Sequence, residues 1–96
     1  MDKDKFPIVD VIKLRPLDGH KLWVRFTTGE EGVKDYSAFI FQGGPMVEPL
    51  RDQMFFARVF IEMGAPVWPN GFDVDSIGLY LEMQAAGLLN TAVAAE

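Results

Sequence analysis

The dipeptide Asp18-Gly19 separates two β-rich runs, IVDVIKLR (8–15) and KLWVRFTT (21–28). An Asp-Gly pair between such runs is a hairpin signal, because glycine accepts the positive φ of a tight turn. The second run alternates with period two. Leu22, Val24 and Phe26 share one face, and Trp23, Arg25 and Thr27 share the other. A further turn, GEEG (29–32), leads to a short third strand, VKDYS (33–37). Three consecutive strands joined by short turns make an antiparallel meander.

The rhythm breaks at Gly43-Gly44, which fits neither a strand nor a helix interior. Pro45 suits a first helical position, so a short helical turn is expected through about Leu50. FFARVFIE (55–62) reads as strand again, with Phe55, Ala57, Val59 and Ile61 facing opposite to Phe56, Arg58 and Phe60. MGA turns the chain, and PVW (66–68) pairs back on that strand. From about Ser76 the period becomes helical. Ile77, Tyr80, Leu81, Gln84 and Leu88 form a stripe that Leu79 and Met83 widen. Gly87 is placed to end this helix, and the alanine-rich LLNTAVAAE either prolongs it or frays. The expected architecture is one α+β domain over residues 1–96, a mainly antiparallel meander of about five short strands with a C-terminal helix on one face.

A hydrophobic content of 49% over 96 residues supplies a core for one domain. With no cysteine the chain has no disulfide, thiolate nucleophile or thiolate metal site. MDKDKFPIVD lacks the apolar run of a signal peptide, and no segment approaches the roughly 20 apolar residues of a membrane span. The chain reads as soluble and cytoplasmic. Net charge is −5, and the nine Lys and Arg are scattered along the sequence. Nucleic-acid binders present clustered cations, so DNA binding by this chain alone is disfavoured. An acidic protein remains suited to a basic protein partner.

VWPNGFDVDSIGLYLEM (67–83) mixes turn, carboxylate and helix signals. Pro69 and Asn70 fit the centre of a β-turn that starts at Trp68 and closes at Gly71. Asp73 and Asp75 precede the helix, where a carboxylate caps free backbone N–H groups and gains from the helix dipole. As a metal or acid–base pair they would need a third ligand, for which only Asp35 or Glu62 is a candidate. The stretch is a joint between strand and helix. His20 sits in a turn with no nucleophile beside it, and neither Ser37 nor Ser76 lies in a Gly-x-Ser-x-Gly elbow. Gly43-Gly44 lacks the Lys-Ser/Thr of a phosphate loop, and Glu30 and Glu31 fall on a hairpin tip. No catalytic residue, cofactor site or metal site is assigned.

The same stretch carries a family resemblance. Its aliphatic-Trp-Pro-Asn-Gly-x-Asp-x-Asp run, through Trp68, Pro69, Asn70, Gly71, Asp73 and Asp75 to Tyr80, resembles the signature of the small bacterial family called domain of unknown function 2442. Phe26, Gly29, Asp35 and Ile40 resemble an upstream segment of that family, and Pro49, Leu50, Asp52, Phe56 and Val59 a central one. The similarity runs from about Val9 to Tyr80. Members often carry Pro after the second aspartate, whereas Ser76 stands here, so Asp73 and Asp75 both remain candidates for the cap. The family has no established enzymatic activity. Some members fuse a helix-turn-helix domain, and others are encoded beside a toxin-like protein and are regarded as antitoxins. The resemblance implies a partner-binding module, and a chain ending at Glu96 is expected to carry no appended DNA-binding domain.

Aromatic residues are in surplus. With Leu22, Val24, Phe26, Phe55, Val59 and Ile61 under the helix, Trp23, Phe56 and Phe60 emerge on the second sheet face, interleaved with Arg25 and Arg58. Aromatics and arginine are enriched at interface hot spots. Either this face binds a protein partner or a second copy, most simply as a dimer, or the 38–50 segment or the N-terminal arm covers it. The leading expectation is a non-enzymatic protein-interaction domain, antitoxin-like. The alternatives are a transcriptional regulator contacting DNA and a small metal-dependent enzyme using Asp73 and Asp75.

Overall fold

The computed structural model describes residues 9–91. Ile8 of the expected first strand, the rest of the N-terminal arm and the tail from residue 92 lie outside that range. Strands β1 (Val11–Leu17), β2 (Lys21–Phe26) and β3 (Glu30–Asp35) form the antiparallel meander, and β6 (Asn90–Thr91) adds to the β3 edge. A separate two-stranded sheet joins β4 (Phe60–Glu62) to β5 (Ala65–Val67). Helix α3 (Ser76–Ala85) follows, giving the α+β architecture. No helix among the described residues is long and apolar enough to cross a membrane.

Register fixes which side chains share a face. Leu14 pairs with Val24 and Val24 with Gly32, whereas Arg15 pairs with Trp23 and Trp23 with Val33. Leu22, Val24 and Phe26 are wholly buried, as the alternation predicts. An irregularity between Val11 and Lys13 turns Val11 into the core and leaves Lys13 outside. The second turn closes earlier than GEEG suggests. The Gly29 N–H bonds the Phe26 carbonyl at 2.9 Å and Gly29 takes φ 92°, so Glu30 and Glu31 are strand residues and not a hairpin tip. Gly32 then lies where helix and strand meet. A Cβ there would run into the Leu88 carbonyl oxygen, so only glycine lets the turn after α3 approach.

The middle of the chain departs most from expectation. Helix α1 (Ser37–Gln42), a 3-10 helix (Glu48–Arg51) and α2 (Gln53–Phe56) occupy it. The helical turn expected over Pro45–Leu50 forms later, at Glu48–Arg51. The expected strand 55–62 is overturned over most of its length. The Asp52 side chain accepts the Met54 N–H at 3.0 Å and starts α2, so Phe56 and Val59 point inward at a helical spacing. Only Phe60–Glu62 remains strand, pairing with β5 across the Met63-Gly64 turn. Phe55 is half-buried and Ile61 exposed, so the expected core row holds only at Val59.

Helix α3 is rotated from its expected stripe. Leu79 and Met83 are buried, while Ile77 and Leu81 are 44% and 54% exposed. It ends in a Schellman motif, with the Gly87 N–H on the Gln84 carbonyl and the Leu88 N–H on the Met83 carbonyl. Asn90 and Thr91 then pair with Glu31 and Glu30. The chain therefore returns to the sheet after Gly87, where the sequence suggested prolonged helix or fraying. One core results, with Phe26, Tyr36, Ile40, Leu50, Phe56, Trp68, Leu79 and Met83 on the inner face of the meander.

Candidate functional site

Trp68 anchors the joint. It is 1% exposed and its indole N–H donates to the Phe56 carbonyl at 2.8 Å. Its ring lies against Phe56 and Phe72, with centroids at 5.6 and 5.7 Å. Pro69 and Asn70 occupy the turn, closed by Gly71 N–H donating to the Trp68 carbonyl at 2.9 Å. The Asn70 side chain donates to the Met46 carbonyl and accepts the Phe72 N–H, tying the turn to the preceding loop. Asp75 is the cap. It accepts the Gly78 N–H at 2.9 Å, the N-cap arrangement, while Asp73 is exposed and only bridges β5 through Val67. Tyr80 lies edge-on to Phe26 and donates its hydroxyl to Glu30 at 2.5 Å, and that bond raises its pKa. Among the described residues no three His, Asp or Glu side chains are grouped to hold a metal ion.

The polar residues weighed for chemistry serve as ties. His20 is not free in solvent. Its ring meets the Arg51 carbonyl at 2.8 Å and its backbone N–H donates to Gln53, joining the first hairpin to α2. The Ser37 hydroxyl donates to Asp35 at 2.6 Å and Ser76 donates to the Val9 carbonyl at 2.9 Å. The two bonds from Ser37 hold Asp35 below the usual carboxylate range.

The expected interaction face does not assemble as a unit. Trp23 and Arg25 share the outer face of the meander, but Phe56 is in the core, packed on Trp68 and edge-on to His20. Arg58 lies over the Phe55 ring at 5.9 Å, and Phe60, 42% exposed, belongs to the small sheet. What gathers around Trp23 comes instead from β1, β3 and its own strand β2. Arg15 and Arg25 stand 5.3 and 5.7 Å from the Trp23 ring, and Val33 lies beside it across the ladder. Arg25 is also paired with Glu31 at 2.9 Å. Lys13 and Lys21 occupy the same face by register. None of these residues joins the core cluster. Arg15 stands opposite Trp23 because the first loop has three residues, Asp18 to His20; a two-residue Asp18-Gly19 loop would have put Leu14 there.

A groove of about 610 Å³ lies on the inner side, between the end of β3, α1 and the start of α3. Its walls include Phe39 and Phe72, with Lys34, Asp73 and Glu82 among its polar residues. Tyr36 also lines it, although 5% exposed, and burial followed by the Glu82 charge pushes its phenol well above the ordinary range. No local period in the sequence announces this assembly, because its walls come from three separate segments.

Comparison with curated proteins and with solved structures gave no match. Comparison with family models gave one over residues 11–85, which spans the meander, the Trp68 turn and α3. The chain belongs to the family described as protein of unknown function (DUF2442).

Proposed function

We propose that this chain is a non-enzymatic, cytoplasmic interaction module that docks a protein partner through the outer face of its four-stranded sheet. The observation that carries the reading is Trp23, half-buried between Arg15 and Arg25 with Val33 beside it, outside the core. A flat ring with two guanidinium groups set over it is preorganised contact surface, and such residues dominate interface energy. The partner fitting the family resemblance is a small protein encoded beside it, which the domain would hold as an antitoxin holds its toxin. Co-expression with the neighbouring gene product, followed by size-exclusion chromatography, tests this. A shared peak that Trp23→Ala or Arg15→Glu dissolves is the expected result. Separate elution of the unmodified pair overturns it.

One observation favours a second reading. Lys13, Arg15, Lys21 and Arg25 bring four of the nine cationic residues to this face, around an aromatic ring. Sequence position alone had them scattered. Stacking rings and cations on a sheet suit single-stranded nucleic acid. Quenching of Trp23 fluorescence by an oligonucleotide, weakening steeply with salt, would support that reading, and no quenching at low salt would remove it.

A further inference from the structure

We propose that the groove between β3, α1 and α3 takes an arginine side chain presented by a protein partner. This inference concerns the inner side of the molecule and does not depend on the sheet-face reading. Charge gives the first argument. Asp73, Asp75 and Glu82 line the groove against the single ammonium of Lys34, so its lining is negative by two. Asp75 is committed to capping α3, and Asp73 makes no ion pair with a described residue. Shape gives the second. Phe39 and Phe72 lie with centroids 5.9 Å apart and planes tilted by 30°, a surface on which a planar guanidinium can lie.

The Tyr36 hydroxyl is shielded from solvent and has no hydrogen-bond partner among the described residues, which is costly and therefore uncommon. A cation of this chain already stands at the place: the Lys34 ammonium is 5.7 Å from the Tyr36 ring centre and bonds Glu82 at 2.8 Å. Lys34 is thus a placeholder. An incoming guanidinium displaces the ammonium from Glu82, donates a second N–H to the Tyr36 oxygen, and turns its remaining donors toward Asp73. A lysine offers one compact charge and no plane, so it would replace Lys34 without gain.

The test is a ¹⁵N-HSQC titration of the full chain with acetyl-Gly-Arg-Gly-amide, beside the same peptide carrying citrulline or lysine. Citrulline keeps the shape and loses the charge. The arginine peptide should saturate with a Kd on the order of 1 mM, as expected for one side chain. Its shifts should centre on Tyr36, Phe39, Phe72, Asp73 and Glu82, and the other two peptides should bind at least about tenfold more weakly. Tyr36→Phe and Asp73→Asn should each weaken arginine binding by about fivefold or more, while Lys34→Ala should tighten it. Equal binding of arginine and citrulline overturns the proposal, as does an unchanged affinity in Tyr36→Phe. Because Asp73 is exposed, Asp73→Asn keeps the test decisive even if the Tyr36 variant misfolds.

Discussion

Replacing Trp68 gives the most direct measure of what holds the joint together. The ring is 1% exposed, packs against Phe56, Phe72 and Tyr36, and its N–H satisfies the Phe56 carbonyl. Trp68→Ala empties that volume and leaves the carbonyl only the longer 3.3 Å bond from the Val59 N–H, so a loss of about 3–5 kcal/mol is expected. A domain of this size has about 5–14 kcal/mol in total, so the variant loses a large share of its stability. Trp68→Phe separates the two contributions. It keeps much of the aromatic packing and removes the donor, so about 1–3 kcal/mol is expected from the lost hydrogen bond and the smaller ring. Guanidinium unfolding followed by far-ultraviolet circular dichroism reads both. The alanine variant should also melt at least about 12 °C lower, at roughly 4 °C or more per kcal/mol. An alanine variant that loses less than about 1 kcal/mol refutes the argument. Equal losses in both variants would refute the separation of packing from hydrogen bonding.

At the cap, Asp75→Asn should leave the melting temperature almost unchanged while Asp75→Ala loses about 1 kcal/mol, because Asn accepts the Gly78 N–H as well as Asp does. Gly32→Ala should cost about 1–3 kcal/mol and expose the amides of β6 to hydrogen exchange, since the added methyl meets the Leu88 carbonyl. Tyr36→Phe should raise stability by up to about 1–3 kcal/mol at neutral pH, because it deletes a buried hydroxyl without a partner. The same variant should resist alkali better. The folded pKa of Tyr36 lies above its unfolded value, so its stability contribution is present below the ordinary tyrosine pKa and is lost as pH rises beyond it. Melting curves between about pH 8 and 12 check that sign.

The features legible in the sequence are those set by neighbours in the chain. Asp18-Gly19 and the alternation of Leu22, Val24 and Phe26 fix the first hairpin and its buried face. Trp68-Pro69-Asn70-Gly71 forms its turn because proline and glycine constrain the same few dihedrals in any fold. The segment FFARVF was ambiguous in principle. Phe56 and Val59 satisfy a helical spacing as well as Phe55, Ala57 and Val59 satisfy a strand. Two things outside the window decide it. Asp52 caps the turn from upstream, and Trp68, twelve residues on, takes the Phe56 carbonyl that a strand would have turned to a neighbour. Strand β6 was hidden for a related reason, since its pairing with Glu30 and Glu31 leaves no mark on an alanine-rich tail.

The partial assembly of the interaction face has the same origin. Trp23 and Arg25 lie in a strand whose period is local, so their common face was readable; Phe56 was assigned to it only through the misread segment. The joint at 67–83 shows how a structural and a functional explanation divide between adjacent residues. Asp75 is used up in starting α3, and the Asn70 side chain in holding the turn. The same turn carries Phe72 and Asp73 into the groove wall beside Tyr36 and Lys34, which arrive from β3 and the residue following it. A tight turn that is fully explained by dihedral preference thereby delivers an aromatic ring and an exposed carboxylate to one place. Two aspartates a single residue apart thus diverge in consequence, so Asp75→Ala should register in melting and Asp73→Asn in binding.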